Sequence, residues 1–221
     1  MTYSVVIPAY NAEATLVAAI ESVYQQTVTP SEVIVVDDGS TDKTAEIAAN
    51  IPRVKVIRQD NQGPGAATNV GFTACTYPLI ATLDADDLWL PHKIATQLAI
   101  LQAKPHLSAV FCQLANFYST PASADFSQAR GGWSRSTMLM RAQAIEAVGE
   151  IIDQPGFVGE MVDWFARHLD LGHAFELLEE PLALRRIHPG SLTYQHPDLA
   201  SGYLKVARAA LLRKRKQEGK P

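Results

Sequence analysis

Short apolar runs alternate with amphipathic segments along the first hundred residues of the chain. In the amphipathic segments the apolar residues return every three or four positions, which is typical of helices. The run at 32–37 is nearly all apolar, as expected of a strand covered on both faces. Such alternation predicts parallel strands with right-handed crossovers. The predicted strands are 4–8, 32–37, 54–58 and 79–84, and the predicted helices are 12–26, with Asn11 as N-cap, 42–50, 64–74 and 91–103.

The pattern is less regular after about residue 105. Small and polar residues at 121–132 predict a loop. Pro181 is expected to divide two short strands, because proline cannot donate to a ladder of hydrogen bonds. Strands are predicted at 108–111, 136–140, 175–178 and 182–187, and helices at 142–148, 161–171 and 201–216.

Composition indicates a globular protein, because 47% of the 221 residues are apolar and 19% are charged. No uncharged apolar run reaches the roughly 18 residues of a membrane-spanning helix. No basic segment precedes the first strand, so we expect no signal peptide. Cys75 and Cys112 lack metal-ligand spacing and are expected to be buried free thiols in a reducing cytoplasm.

Charge is distributed unevenly, since residues 205–221 hold seven Lys or Arg and one Glu, a local charge of +6. The remaining chain therefore carries −10. This basic tail could contact anionic lipid at the inner face of the membrane, or another anionic partner. Alternatively it is a solvated helix end, where cations are favoured. We expect no nucleic-acid partner.

An acidic run, Asp84, Asp86 and Asp87, follows the predicted strand 79–84. Negative charge concentrated at a strand end is unfavourable unless a positive group binds there. A divalent cation carrying phosphates is the natural candidate, because ligands of open α/β sheets bind at the carboxyl ends of strands. The alternative is a solvated cluster that caps the helix beginning at Pro91.

Polar residues follow two other predicted strands, at 8–11 and 37–42. Together with 84–87 they lie at one edge of the predicted sheet, where they can converge on one ligand.

The chain resembles the family 2 glycosyltransferases, which are inverting enzymes with a GT-A fold. The resemblance implies an α/β fold with a mostly parallel central sheet flanked by helices. It also implies one domain over 1–221, with a nucleotide-sugar-binding half at 1–90, an acceptor-binding half at 91–204 and the basic tail. The motifs that carry it are Val5–Asn11, Val35–Asp42, Gln62–Gly71 and Leu83–Asp87, and more weakly Ser136–Arg141 and Gly159–Trp164.

The resemblance places the nucleotide of the donor against the first two of these motifs. Pro8, Ala9 and Tyr10 would line the nucleobase and ribose. Asp38 would accept a hydrogen bond from the base, with Asp37 nearby. The alternative for this acidic pair is a turn in which an Asp side chain bonds to the backbone of the next helix.

The resemblance also implies a metal site. Asp84 would lie near the ribose or the metal, and Asp86 would ligate Mg²⁺ or Mn²⁺ bridging the two phosphates. His188 could complete the metal shell, and Arg186 could meet a phosphate. The alternative for His188 is a loop histidine without a ligand.

Two further segments remain open between a structural and a functional interpretation. Gly65 offers a backbone amide at a helix start, which could hold phosphate or sugar hydroxyls, or it belongs to a structural turn. Many relatives have Arg where Thr68 stands, so a positive contact is missing. Trp133, beside two glycines, is either a lid that stacks on a sugar or a buried anchor.

Inverting transfer needs a carboxylate base, which in the family often comes from a Glu-Asp pair at a helix start. Here Met161 occupies the second position of that pair. The candidates are Glu160 and Asp163, which share a helix face. We favour Glu160 as base and Asp163 as acceptor-binding residue or alternate base. The alternative is that both acids only complement the helix dipole.

The resulting hypothesis is a metal-dependent glycosyltransferase that moves a sugar from a nucleotide-diphosphate sugar, with UDP expected as carrier, to a hydroxyl acceptor. The acceptor could be a glycan, a lipid or a small molecule. One alternative is a non-catalytic nucleotide-sugar-binding module, which Met161 and Thr68 would explain. A sugar-phosphate nucleotidyltransferase is disfavoured, because 8–13 lacks the glycine-rich basic loop that those enzymes carry.

Overall fold

A computed structural model of the chain describes residues 1–153 and 160–188. The α-helices are α1 (Leu16–Tyr24), α2 (Thr44–Asn50), α3 (Pro64–Ala74), α4 (Lys93–Ala103), α5 (Ala142–Val148) and α6 (Glu160–Asp170). Single turns of 3₁₀ helix occur at Pro121–Ser123 and Arg135–Thr137. The strands are β1 (Tyr3–Ala9), β2 (Glu32–Asp38), β3 (Val54–Gln59), β4 (Leu79–Thr82), β5 (Leu88–Trp89), β6 (Leu107–Phe117), β7 (Asp125–Gly131), β8 (Leu139–Arg141) and β9 (Ala174–Arg186).

These strands form one sheet in the order β3-β2-β1-β4-β8-β6-β9-β5, with β7 also paired to β6. Strands β1 to β4 are mutually parallel, and β6 is parallel to β9. Strands β5, β7 and β8 pair antiparallel with their neighbours. The mostly parallel sheet predicted from the sequence is therefore present, and strands from beyond residue 90 complete it.

The side chains of β1 alternate between two hydrophobic layers. Val5 and Ile7 pack on the layer that contains α1 and α4, whereas Val6 faces the layer of α5 and α6. Helix α3 lies close to β1, because a Cβ on Gly71 would sit 2.2 Å from Cγ1 of Val6. This packing holds the second half of α3 against the middle of β1.

Two strand predictions in the second half were wrong. Residues 121–132, predicted as a loop, contain a 3₁₀ turn and β7, because pairing with β6 outweighs the weak strand propensity of small polar residues. Pro181 does not end a strand. Strand β9 continues through it, and its register with β6 shifts between Cys112 and Leu114 to accommodate the proline.

The predicted N-cap of the first helix was also wrong. Thr15 precedes α1, and Asn11 instead takes a left-handed conformation with φ of 47°. The side chain of Asn11 turns toward the next loop, where its Oδ1 accepts a hydrogen bond from Thr41 N at 2.9 Å. Strand β4 is shorter than predicted and ends at Thr82.

Other predictions agree with the structure. Helices α3 and α5 begin and end at the predicted residues. Both cysteines are free thiols, with Cys112 buried and Cys75 partly buried. Within 1–153 and 160–188, no helix has the length and apolar character needed to cross a membrane. The predicted helix 201–216 lies outside the described residues.

Candidate active site

The loops after β1 and β2 are joined directly to each other. Asn11 N donates to Ser40 Oγ at 2.9 Å, and Ala12 N donates to Thr44 Oγ1 at 2.8 Å. These backbone-to-side-chain bonds fix the two loops as one surface at the carboxyl edge of the sheet. The first two polar clusters expected at that edge are thus brought together.

The three residues expected to line the nucleobase differ in exposure. Pro8 and Ala9 are buried in β1, paired with Val36 and Asp37 of β2. Tyr10 follows them and leaves 51% of its surface exposed. The ring of Tyr10 is therefore accessible to a ligand, whereas Pro8 and Ala9 are covered.

Asp38 is buried and its carboxylate is bonded within the protein. Its Oδ1 accepts from Gln59 Nε2 at 2.7 Å and from Gln62 N at 2.9 Å, and its Oδ2 accepts from Gly63 N at 2.8 Å. These bonds hold the segment before α3 against the end of β2. A nucleobase would have to share this carboxylate with donors that already occupy most of its acceptor sites.

Asp37 is fully buried at the turn that follows β2. Ser40 N donates to its Oδ1 at 3.4 Å, and Arg58 Nε lies 3.2 Å from its Oδ2. No described donor is aligned with Oδ2 as a hydrogen bond, so Arg58 contributes mainly its charge. The turn interpretation of the acidic pair therefore has direct contacts in its favour.

The start of α3 is capped by a carboxylate from a distant segment. Gly65 N and Ala66 N donate to Oδ1 and Oδ2 of Asp153 at 3.0 and 2.8 Å. A Cβ on Gly65 would lie 2.6 Å from Oδ1 of Asp153, so this close approach requires glycine. A phosphate at these amides would have to displace Asp153. Thr68 is buried and donates to Pro64 O at 2.6 Å.

Asp86 and His188, both expected at the metal, lie together. His188 Nε2 is 3.1 Å from Oδ2 of Asp86, although 102 residues separate them. Each side chain is about one third exposed. Burial, and then the charge of Asp84, raise the pKa of Asp86 above its ordinary value. The carboxylate is therefore held where a cation would stabilise it.

Arg186 and Asp87 anchor the acidic loop, residues 84–87, to the rest of the protein. Arg186 Nε donates to the backbone oxygen of Asp86 at 3.0 Å, and its own amide donates to Oδ1 of Asp87 at 3.1 Å. Ser136 Oγ donates to Oδ2 of Asp87 at 2.6 Å. Burial and the neighbouring acids raise the pKa of Asp87 well above its ordinary value. Asp87, indistinguishable from Asp86 in the sequence, is thus a structural acid.

Arg135 is a site residue that the sequence did not reveal. Its Nε lies 2.8 Å from Oδ1 of Asp84, and its Nη1 lies 2.9 Å from Oε1 of Glu160. Only 10% of its side chain is exposed. Burial opposes its charge, but the two carboxylates outweigh burial and keep the pKa of the guanidinium above its usual value. No local pattern marks this arginine, because its partners come from other elements.

The two base candidates lie in different surroundings. Glu160 is buried at the start of α6 and reaches the edge of the sheet through Arg135. Asp163 pairs with Arg167 on its own helix at 3.0 Å, and Arg167 also bonds to carbonyl oxygens at the end of α5. Met161 is buried in the hydrophobic layer. The structure therefore brings Glu160, rather than Asp163, next to the acids that follow β4.

Trp133 packs against aromatic residues of the hydrophobic layer that contains α5 and α6, and 44% of its surface stays exposed. Its ring lies 5.8 Å from Phe175 and 6.1 Å from Phe111, measured between ring centres. The contacts make it an anchor with one open face.

The described residues contain no group of three or more His, Cys, Asp or Glu that could hold a metal ion. A complete protein cage is therefore not built from 1–153 and 160–188. Asp86 and His188 offer a carboxylate oxygen and an imidazole nitrogen side by side. This pair suits Mg²⁺ or Mn²⁺, which complete their coordination with phosphate oxygens and water.

Solved structures share the fold. The mannosyltransferase PcManGT from Pyrobaculum calidifontis, in complex with GDP-Man and Mn²⁺, aligns with 96% of this chain and 64% of its own at a TM-score of 0.75 and 20% identity. Residues 1–349 of TarS from S. aureus, in complex with UDP-GlcNAc, align with 96% of this chain and 66% of their own at a TM-score of 0.73 and 19% identity. The expected GT-A fold is confirmed.

Relatives in sequence are glycosyltransferases. An uncharacterized glycosyltransferase of Nostoc sp. is 42% identical over 107 residues, 46% of this chain and 33% of the relative. The chondroitin synthase of Escherichia coli is 40% identical over 126 residues, 55% of this chain and 17% of the relative. The chain thus matches a third or less of the length of these proteins. The model of glycosyl transferase family 2 matches residues 4–166, and this chain belongs to that family.

Proposed function

We propose that this chain carries the transfer site of a metal-dependent, inverting glycosyltransferase. It takes a sugar from a nucleoside-diphosphate donor, with UDP as the carrier, and passes it to a hydroxyl group of a glycan, a lipid or a small molecule. The observation that carries this proposal is the contact between Asp86 and His188, placed at the edge where the polar loops converge.

The donor lies across this edge in the proposal. Tyr10 stacks beside the nucleobase, and Pro8 and Ala9 support it from below. Asp84, which is bonded to Arg135, is assigned to the ribose and diphosphate side. Asp86 and His188 would hold the divalent cation, which would neutralise charge on the diphosphate that leaves.

Glu160 is the proposed general base. Its carboxylate takes the proton of the acceptor hydroxyl while the acceptor oxygen attacks the anomeric carbon of the sugar. The bond between that carbon and the diphosphate oxygen breaks on the opposite face, so the configuration inverts. The nucleoside diphosphate leaves with the electron pair. Asp163, paired with Arg167, contacts the acceptor instead.

Calorimetry of UDP binding tests the cation site, with and without Mn²⁺. Asp86→Asn and His188→Ala should remove most of the Mn²⁺-dependent gain in affinity, because each removes one ligand. His106→Ala is the matched control, since His106 is exposed in the turn before β6. An Mn²⁺-dependent gain that survives both site substitutions would contradict the assignment.

A non-catalytic binding module is the second candidate, and the burial of Met161 favours it. Many members of the family carry an acid at the position of Met161, whereas Met161 packs in the hydrophobic layer of α5 and α6. A module would bind UDP with Mn²⁺ but would release no sugar from any donor. Measuring UDP release from UDP-sugars over several hours separates the two candidates.

The basic tail at 205–221, which lies outside the described residues, is proposed to contact anionic lipid and so to place the chain at the inner face of the membrane. Replacing Arg213, Lys214, Arg215 and Lys216 with Glu should abolish cosedimentation with phosphatidylserine vesicles. Undiminished cosedimentation would support a solvated helix end.

A further inference from the structure

Arg135 joins two acids that come from distant parts of the chain. Its Nε contacts Asp84 at 2.8 Å, and its Nη1 contacts Glu160 at 2.9 Å. The two acids belong to opposite tasks in the proposed reaction, since Asp84 lies on the donor side and Glu160 is the base. A single buried guanidinium therefore spans the gap between donor and base.

The turn that carries Arg135 is fastened on several sides. Thr82 Oγ1 donates to the backbone oxygen of Arg135 at 2.7 Å, which ties the turn to the end of β4. Ser136 Oγ donates to Asp87 at 2.6 Å and accepts from Asp84 N at 3.1 Å. Ser134 and Thr137 close a capping box around the same turn. The backbone beneath the guanidinium is therefore fixed to the acidic loop.

We propose that Arg135 is the positioning residue of the general base, and this inference rests on the proposed function. It holds Oε1 of Glu160 and thereby sets the direction of Oε2, the oxygen that takes the acceptor proton. It acts through Glu160 and does not contact the reacting atoms.

The chemistry of arginine suits this task. Its guanidinium is planar and directs Nε and Nη1 along fixed lines, so fixing one acid also fixes the other. A lysine ammonium is a point charge without this geometry and can satisfy two separated carboxylates only poorly. A displacement of a catalytic group by about 1 Å can cost on the order of 10²-fold in rate.

Strand β8 offers a matched control. Arg141 is a partly buried arginine whose Nε donates to the backbone oxygen of Leu107 at 2.9 Å and whose Nη2 donates to that of Leu101 at 3.0 Å. It pairs with Leu79 at the start of β4, the end opposite the acidic loop. Replacing it removes arginine hydrogen bonds of similar length without touching the carboxyl edge of the sheet.

Kinetics with a UDP-sugar and Mn²⁺ test the inference in the full chain. Arg135→Gln should lower kcat by roughly 10- to 100-fold while UDP affinity stays within about twofold. Arg135→Lys should recover part of the loss, and Arg141→Gln should change kcat little. In the Glu160→Gln background, Arg135→Gln should cause no further loss, because the base it positions is already absent.

Three results would overturn the inference. They are an unchanged kcat in Arg135→Gln, a loss of UDP affinity as large as the loss of kcat, or multiplying effects in the double variant. Should Arg135→Gln fail to fold, Arg135→Lys decides alone, because a kcat equal to wild type would overturn it. Failure of the proposed function would give a different result. The wild type would release no UDP, or Glu160→Gln would release UDP as fast as the wild type.

Discussion

The two acidic loops at the carboxyl edge of the sheet look alike in sequence and differ in structure. The carboxylate of Asp38, after β2, accepts hydrogen bonds from Gln59, Gln62 and Gly63 at 2.7 to 2.9 Å. The carboxylate of Asp86, after β4, meets an imidazole at 3.1 Å and stays one third exposed. The first loop organises the fold, and the second presents its acid outward.

This difference separates stability from binding. An acid bonded to backbone donors stabilises the protein without any ligand. An acid whose pKa is raised by burial and by a like charge is unfavourable when ionised, and a bound cation relieves that cost. The role of each carboxylate therefore follows from the groups that already bond to it. Substitution at each loop tests this assignment of roles.

The largest expected effect is on turnover at the second loop. Asp86→Ala should lower Mn²⁺-dependent turnover by about 10⁴-fold or more, because the cation supplies several kcal/mol of transition-state stabilisation. Rates of UDP release measure this. Asp38→Ala should cost much less in turnover for whatever fraction folds. Equal losses of turnover at both positions would contradict the different roles assigned to the two loops.

The next effect concerns Glu160, the proposed base beside the second loop. Glu160→Gln should reduce kcat by roughly 10²- to 10⁴-fold with UDP affinity retained, the range expected for loss of a general base. Asp163→Asn, which alters an acid three residues further along α6, is the paired variant. If Asp163→Asn shows the larger loss, the base is Asp163.

A smaller effect is expected on the free energy of unfolding, which should respond differently to substitution in the two loops. Asp38→Ala leaves the amides of Gln62 and Gly63 without their acceptor, which should lower the free energy of unfolding by about 2–4 kcal/mol. Asp86→Ala should leave it unchanged or raise it, because it removes an ionised acid held unfavourably. Urea denaturation without metal compares the two, and a larger loss in Asp86→Ala would refute this assignment.

The smallest expected effect concerns the pH dependence of stability that arises from Lys93. This buried residue begins α4, the helix that follows the second loop. Lys93 is fully buried, with Nζ 2.8 Å from Gln97 Oε1 and 3.3 Å from Met138 O. Burial lowers the pKa of Lys93 to about 8, against 10.5 ordinarily. Between these values the unfolded chain binds more protons, so this residue makes stability rise with pH by up to about 1.4 kcal/mol per pH unit.

The measurement for Lys93 is the difference between wild type and Lys93→Met across pH 7.5 to 9.5. Burial raises the pKa of Cys75 and of Cys112, and these thiols make stability fall with pH over the same range. The charge of Lys93 lowers the pKa of Cys112, so both proteins should also carry Cys112→Ala, and the contribution of Cys75 then cancels in the difference. Parallel pH curves would show that Lys93 ionises normally in the folded state.

The sequence predicted the first half of the fold well because its signals are local. Strands β1 to β3 show in short apolar runs, and α3 begins at Pro64, a residue suited to a first helical turn. Strand β7 depends on pairing with β6, which no local pattern records. The continuity of β9 through Pro181 likewise depends on a register shift that only the paired strands reveal.

The candidate site was predicted only as far as its motifs. Asp86 and His188 were expected at one cation, and their side chains lie 3.1 Å apart. Their role as metal ligands stays a prediction. The role of Asp87 could not be separated from that of Asp86, because only Ser136 and the backbone of Arg186 distinguish them. Arg135 was missed because its two partners lie 51 and 25 residues away.

The contact between Asp86 and His188 also has a consequence for the order of events in folding. Strand β9, which leads to His188, is inserted between β6 and β5 and is the last strand of the described chain. A contact of such high sequence separation forms late, after the loop-closure entropy has been overcome. The proposed affinity for manganese and nucleotide should therefore return after helical circular dichroism during refolding, and it would report completion of the sheet.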